Sequence, residues 1–316
     1  MFPSLFIATL IALMQPPIPP NGDLYRAFFV WHFNQTDSIL QSETYQQELI
    51  NTCDKNGYNL IFLGVEPFLS PKGYSEANEI AVRNLIRALH QSGIEVHAVM
   101  GQGGTYGDPY ARSPNGYGSN QGWAIENIIK PIQDYNSRAP DDSKFNGFLL
   151  DNEYYNNGKN SYRLSETIGT FDLLRIAHQM LPGLKIGHTP NWLLADEQHA
   201  YYINYNGKNN MEGFHILDQC DYVVVQTYRN NPSLQISMFN PWLDYASRSG
   251  RQVGIMIASD VDKPGDVRPD FTYNTLNIGD KIRFENSLTK ISHTYHGNNL
   301  WWGNAVEMYN AYKNLK

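Results

Sequence analysis

The chain has 316 residues, with 41% apolar, 17% charged and 13% aromatic side chains and a formal net charge of −7. So many aromatics exclude a disordered chain, and the acidic balance, with no Lys/Arg block, argues against a nucleic-acid backbone as partner. Two cysteines, Cys53 and Cys220, exclude a disulfide scaffold and a Cys-rich metal module.

The chain opens with an apolar run, Leu5 to Met14, followed by Gln15-Pro16-Pro17-Ile18-Pro19-Pro20. The run is too short to span a bilayer as a helix, and its length suits the hydrophobic region of a secretory signal. No Lys or Arg precedes it, and the other reading is an apolar N-terminal arm packed on the domain. Residues 1–21 are therefore set apart as a leader or arm, with secretion expected, and residues 22–316 form one domain with no integral membrane span.

From residue 22 onward, short continuous apolar runs alternate with segments of helical spacing. The runs are Ala27–Phe33, Leu60–Val65, Val96–Met100, Phe145–Leu150, Leu184–Gly187, Tyr222–Val225, Val253–Ala258 and Leu300–Val306. Runs rich in Val, Ile, Leu and Phe suit strands buried on both faces of a parallel sheet. Between them, Ser42 caps a helix carrying Tyr45, Leu49, Ile50 and Cys53 and stopped by Gly57. Glu79 to His90 aligns Ile80, Leu85, Ile86 and Leu89 and stops at Gly93. Ser165 opens a helix with Ile168, Phe171, Leu174 and Met180, ended by Pro182-Gly183. Asn240-Pro241 reads as an N-cap with proline at the first helical position, and Gly250 closes that helix. A last helix is expected from Asn304 to Lys316.

Eight strands alternating with helices predict an α/β fold, a single (β/α)8 TIM barrel with longer loops at its C-terminal face. The competing open, doubly wound sheet usually shows a Gly-rich turn after its first strand. Here that position reads Trp31-His32-Phe33-Asn34-Gln35. The loops after strands three, five and seven are rich in Gly, Asn and Tyr and read as site-forming insertions. Gly101-Gln102-Gly103-Gly104 lacks the Lys-Ser/Thr of a phosphate cradle and reads as a substrate loop.

A barrel carries its chemistry at the C-terminal ends of its strands. The candidates there are Trp31 and His32, then Glu66, Gln102, Asp151, Glu153 and Tyr154. Further along stand His188, Asn191, Gln226, Tyr228, Asp260, Trp302 and Glu307. Acids, amides and aromatics around one rim suit a carbohydrate. In a strand, residues i and i+2 share a face, so Asp151 and Glu153 both face the mouth. Two close carboxyls cannot both ionise easily, and a carboxyl held protonated can donate to a glycosidic oxygen. Glu66, Asp260 and Glu307 read as scaffold or substrate-binding groups, although a double-displacement mechanism would need one of them as nucleophile, Glu307 first. No H-x-H or H-E-x-x-H spacing joins His32 and His188 into a metal site, so no metal and no cofactor is expected. Trp31, Trp192, Trp301 and Trp302 read as sugar platforms or core residues.

Asn146-Gly147-Phe148-Leu149-Leu150-Asp151-Asn152-Glu153 resembles the fourth-strand motif D-G-x-D-x-D-x-E of glycoside hydrolase family 18, the chitinases and endo-β-N-acetylglucosaminidases. Gln226-Thr227-Tyr228 is similar to that family's sixth-strand Q/M-x-Y-D. The resemblance implies Glu153 as proton donor and Asp151 as the group orienting an N-acetyl substituent whose own oxygen is the nucleophile. It implies Tyr228 as a hydrogen-bonding partner of the acetamido group. The chain departs from the pattern at Asn146, Leu149 and Arg229, where the family carries acids, and Asn152 stands where the family often has an aromatic. The expectation is a glycosidase on an oligo- or polysaccharide. The alternatives are a catalytically silent barrel that binds glycan or protein, and a metal-dependent hydrolase.

Overall fold

The computed structural model describes residues 25–30, 39–56, 58–100, 121–154, 160–227, 229, 231–258 and 300–305. Residues 1–21, Gly101-Gln102-Gly103-Gly104 and residues 306–316 lie outside them, while Asn304 and Ala305, the expected first residues of the last helix, belong to a strand instead. Each apolar run becomes a strand. These are β1 (Arg26–Val30), β2 (Leu60–Gly64), β3 (Glu95–Met100), β4 (Gly147–Leu150) and β5 (Lys185–His188). A hairpin follows, β6 (Tyr202–Tyr205) and β7 (Lys208–Met211), then β8 (Tyr222–Gln226), β9 (Gln252–Ala258) and β10 (Leu300–Ala305). All but the hairpin lie parallel in the order β1-β10-β9-β8-β5-β4-β3-β2, and β1 pairs back onto β2, which curls the sheet closed. The α/β class and the parallel sheet are as the sequence predicts. The complete eightfold β/α repeat is not on view, because residues 259–299, between β9 and β10, lie outside the described chain.

Helices pack on the outside. They are α1 (Glu43–Asn56), α2 (Glu66–Leu69), α3 (Glu76–Gln91), α4 (Gln121–Ala124), α5 (Lys130–Arg138), α6 (Asn160–Met180), α7 (Glu212–Gln219) and α8 (Pro232–Ser249). Three expectations needed correction. In α3 the cap is Ser75, whose hydroxyl accepts from the Asn78 N–H, and Ile80 is 46% exposed while Glu79 and Val82 are buried. The buried stripe thus starts one residue earlier than its apolar members suggest, because Glu79 is buried against Arg83 and Arg138, each 2.7 Å away. Helix α6 begins at Asn160, before Ser165. The Asn-Pro signal belongs to Asn231-Pro232, where the Asn231 side chain accepts from the Leu234 N–H; Pro241 sits inside α8. Gly250 does end α8, in the left-handed region at φ 70°.

The sheet has two buried faces. Ala27, Phe29, Leu60, Phe62, Val99, Leu149, Tyr222 and Val224 form one apolar cluster inside the barrel, while Ile61, Leu63, Val96, Phe148, Ile186 and Val223 join the larger cluster under the helices. Alternation along each strand decides which is which. Two glycines make room for bulk in the lumen. A Cβ on Gly187 would come within 2.2 Å of the Tyr222 ring, and one on Gly147 within 2.5 Å of the His97 ring. His97 Nδ1 and the Tyr222 hydroxyl share a 2.7 Å hydrogen bond there. Gly187→Ala should therefore destabilise the fold by about 2–3 kcal/mol through overpacking, read as a lower denaturant midpoint with an unchanged slope; an unchanged midpoint would show that Tyr222 yields freely.

At the N-terminal end of the lumen Tyr25 donates to Glu95 at 2.6 Å and Lys185 reaches the same carboxylate at 3.3 Å. Burial works against the Glu95 charge, but the neighbouring His97, the hydrogen bond from Tyr25 and the Lys185 ammonium hold its pKa down to about 2. Both cysteines are buried and free.

Candidate active site

The opposite, C-terminal end gathers a different set. Leu149 belongs to the lumen cluster, so Asp151 and Glu153, two and four residues on, leave β4 with the same parity. The residue between them anchors the turn. Asn152 is buried, its side chain donates to Thr170 Oγ1 of α6 at 2.9 Å, and Thr170 in turn donates to the Glu166 carbonyl at 2.7 Å. Asn152 thereby points to the helix layer and holds its two acidic neighbours toward the barrel axis.

Asp151 is 4% exposed, and its N–H donates to the Met100 carbonyl at 3.0 Å. Its Oδ1 accepts the Thr189 hydroxyl at 2.5 Å. Glu153 is half-buried, and its Oε1 accepts from Gln226 Nε2 at 2.8 Å. The same amide nitrogen lies 3.4 Å from the Thr189 carbonyl. Strands β4, β5 and β8 thus each contribute one edge of a linked Asp151–Thr189–Gln226–Glu153 group. Burial and then the Glu153 charge push the Asp151 carboxyl well above the ordinary aspartate range; the Thr189 hydrogen bond opposes them, and Glu66 adds the smallest upward push. Asp151 thus keeps a proton that an exposed aspartate would lose.

The other candidates divide. Glu66, the first residue of α2, is half-buried and near enough for its charge to act on Asp151. Gln226 is buried with its amide directed to Glu153, so it supports the acid and is not free for a sugar hydroxyl. Asn191 caps the 3-10 turn Trp192–Ala195 by accepting from the Leu193 N–H at 3.1 Å, and it forms a parallel bridge to Gln226. Trp192, the first residue of that turn, packs against the outer apolar cluster.

Two residues expected to touch substrate are placed elsewhere. Tyr154 is 2% exposed and joins the cluster under the helices. His188 has the parity of Ile186 and not of lumen-facing Gly187, so it lies on the outer side of β5; burial pushes its pKa down to about 3 and keeps it neutral. Chemical richness favoured the histidine, whereas alternation favours its neighbour Thr189, which the sequence reading passed over. Trp302 lies within β10, opposite Arg26 at the start of β1. Trp31, His32, Gln102, Tyr228, Asp260 and Glu307 lie outside the described residues. Among the described residues no cluster of three or more His, Cys, Asp or Glu could hold a metal ion, and no helix is long and apolar enough to cross a membrane.

A curled parallel sheet wrapped by helices, with an acidic pair at the C-terminal end of one strand, defines a TIM-barrel-like fold. No family model and no curated protein matches the chain. Among solved structures, a beta-glycosidase from Pyrococcus horikoshii superposes with a TM-score of 0.55 at 15% identity, over 92% of this chain and 85% of that one. A beta-mannanase from the blue mussel Mytilus edulis superposes with 0.54 at 11% identity over 92% and 90%. A beta-1,4-mannanase from the sea hare Aplysia kurodai gives 0.53 at 10% over 90% and 89%. At such identities the likeness is one of fold.

Proposed function

We propose that this chain is a glycoside hydrolase acting on an oligo- or polysaccharide, with Glu153 as general acid/base and Asp151 as its coupled partner. The observation that carries the reading is the two neighbouring carboxyls at the end of β4: Asp151 sealed, its pKa pushed well upward by burial and by the Glu153 charge, and Glu153 half-open and oriented by Gln226. Ionising both would place a second negative charge beside a buried one, so the pair retains a proton that two exposed carboxyls would lose. That proton passes to the glycosidic oxygen through Glu153, the member open to solvent. The C1–O bond breaks with its electrons moving to the leaving oxygen, which takes the proton. The Glu153 carboxylate then accepts a proton from the attacking water.

The narrower reading follows the motif that ends in Asp151-Asn152-Glu153. The substrate would carry a 2-acetamido group whose carbonyl oxygen closes on C1, giving retention, with Asp151 orienting that group and Tyr228 bonding it. The complete (β/α)8 repeat, with Trp31, His32, Gln102, Asp260 and Glu307 on its rim, and export through residues 1–21 belong to the same proposal. The solved glycosidase and mannanases that share the fold support carbohydrate as the substrate class.

The test is a panel of 4-nitrophenyl β-glycosides, mannosides and N-acetylglucosaminides together with chito-oligosaccharides. Release from the N-acetyl members with retained anomeric configuration is the expected result. Cleavage confined to mannosides or glucosides would discard the acetamido reading, and saccharide binding without cleavage would select the silent barrel, for which Leu149, apolar in the lumen, and Arg229, both in place of motif acids, are the motivation.

A further inference from the structure

Asp151 and Glu153 stand on one strand end, but what holds them comes from two other strands. Thr189 is fully buried, follows β5 with the lumen parity of Gly187, and places its hydroxyl 2.5 Å from Asp151 Oδ1. A hydroxyl has one hydrogen, so donating it to Oδ1 leaves Oδ2 as the oxygen that carries a proton. The Thr189 carbonyl in turn lies within reach of the Gln226 amide that also binds Glu153. Side chain and backbone of a single residue therefore connect both members of the pair.

We infer that Thr189 is a positioning residue of this site: its hydroxyl fixes which oxygen of Asp151 bears the proton, and its carbonyl sets the Gln226 amide that aims Glu153. The inference rests on the glycosidase reading for its effect on turnover, but not for the link between Thr189 and Asp151. Charged groups facing Asp151 are Glu153 from its own strand end and Glu66 from the end of β2; β5 and β8 present the uncharged Thr189 and Gln226. No lysine or arginine pairs with Asp151 among the described residues. The Thr189 hydroxyl is accordingly the one described side-chain donor that eases its ionisation. A threonine suits the task because its branched Cβ leaves few χ1 rotamers, so the hydroxyl direction is held by packing.

The test compares Thr189→Val, which keeps the shape and removes the donor, with Thr189→Ser, which keeps the donor. On whichever 4-nitrophenyl glycoside of the panel is cleaved, Thr189→Val should lower kcat by about 10- to 100-fold, leave KM within about twofold, and move the alkaline limb of the pH–kcat profile to higher pH. Thr189→Ser should restore both. A merely structural threonine would lower the melting temperature without moving the limb, and that result would overturn the inference. A second measurement needs no substrate. The pH dependence of the melting temperature is followed for wild type, Thr189→Val, Asp151→Asn and the double variant. Thr189→Val should extend the stability loss to higher pH, from the same onset at about pH 4, in the wild-type background and leave the pH dependence unaltered in the Asp151→Asn background. An equal offset at every pH in both backgrounds would remove the coupling. If Glu153→Gln is fully active the glycosidase reading fails, and this cycle still decides the role of Thr189.

Discussion

Glu153→Gln should lower kcat by roughly 10²- to 10⁴-fold, the usual worth of a positioned acid/base group, while KM and the melting temperature stay close to wild type. The amide is isosteric with the protonated acid, can still meet the Gln226 side chain, and cannot release a proton to a leaving oxygen. Glu153 is half-buried and accepts a 2.8 Å bond from Gln226 that an amide oxygen at the same place can also accept. The loss should be smallest for substrates with good leaving groups, which need little protonation. Comparing 4-nitrophenyl glycosides with unactivated oligosaccharides therefore separates the acid role from a binding role. Equal rates for wild type and variant would remove Glu153 from the chemistry.

The second large effect is on the dependence of stability on pH. Asp151 is buried, and its folded-state pKa lies above the unfolded value of about 3.9. Between those two pH values the folded state holds a proton that the unfolded state has lost. Stability is thus fully present below about pH 4 and falls as pH rises toward the folded pKa, by at most about 1.4 kcal/mol per pH unit for this one group. Asp151→Asn removes the titration while keeping the size and an acceptor for the Thr189 hydroxyl. The variant should melt above wild type at pH values above about 4, with a gap that widens as pH rises toward the folded pKa and closes below pH 4. Its kcat should fall by about 10²-fold or more, since the pair loses its proton reservoir. A gap that is constant with pH would mean that Asp151 is ionised in the folded protein. The opposed signs, more stable but less active, are those of a site that holds an acid in an unfavourable place for the sake of its proton.

Much of this was legible from the chain. A continuous apolar run buried on both faces needs no partner to identify it, and Leu60–Gly64 and Tyr222–Gln226 are buried at every position as that pattern requires. The Gly250 stop depends only on local backbone geometry. So does the hairpin turn at Asn206-Gly207, with φ of 51° and 80°, whose Asn-Gly signal stood in the sequence unread. Where two signals were equivalent, as at Asn231-Pro232 and Asn240-Pro241, sequence could not choose. A proline inside a helix is tolerated when the surrounding packing holds the helix together, and Phe239, Trp242 and Leu243 beside it are buried.

The pairing of Asp151 with Glu153 is set by the chain alone, because alternation along a strand is a property of the backbone and reaches two residues. What meets that pair is not. Thr189 and Gln226 arrive at Asp151 and Glu153 from 38 and 73 residues away. They do so because β5 hydrogen-bonds β4 on one side and β8 on the other. Strand adjacency and register in a closed sheet are decided by the whole ring at once, and no local pattern encodes them. Alternation along β5 puts His188 on the outer side and Thr189 on the lumen side, but only the pairing of β5 with β4 brings Thr189 to Asp151.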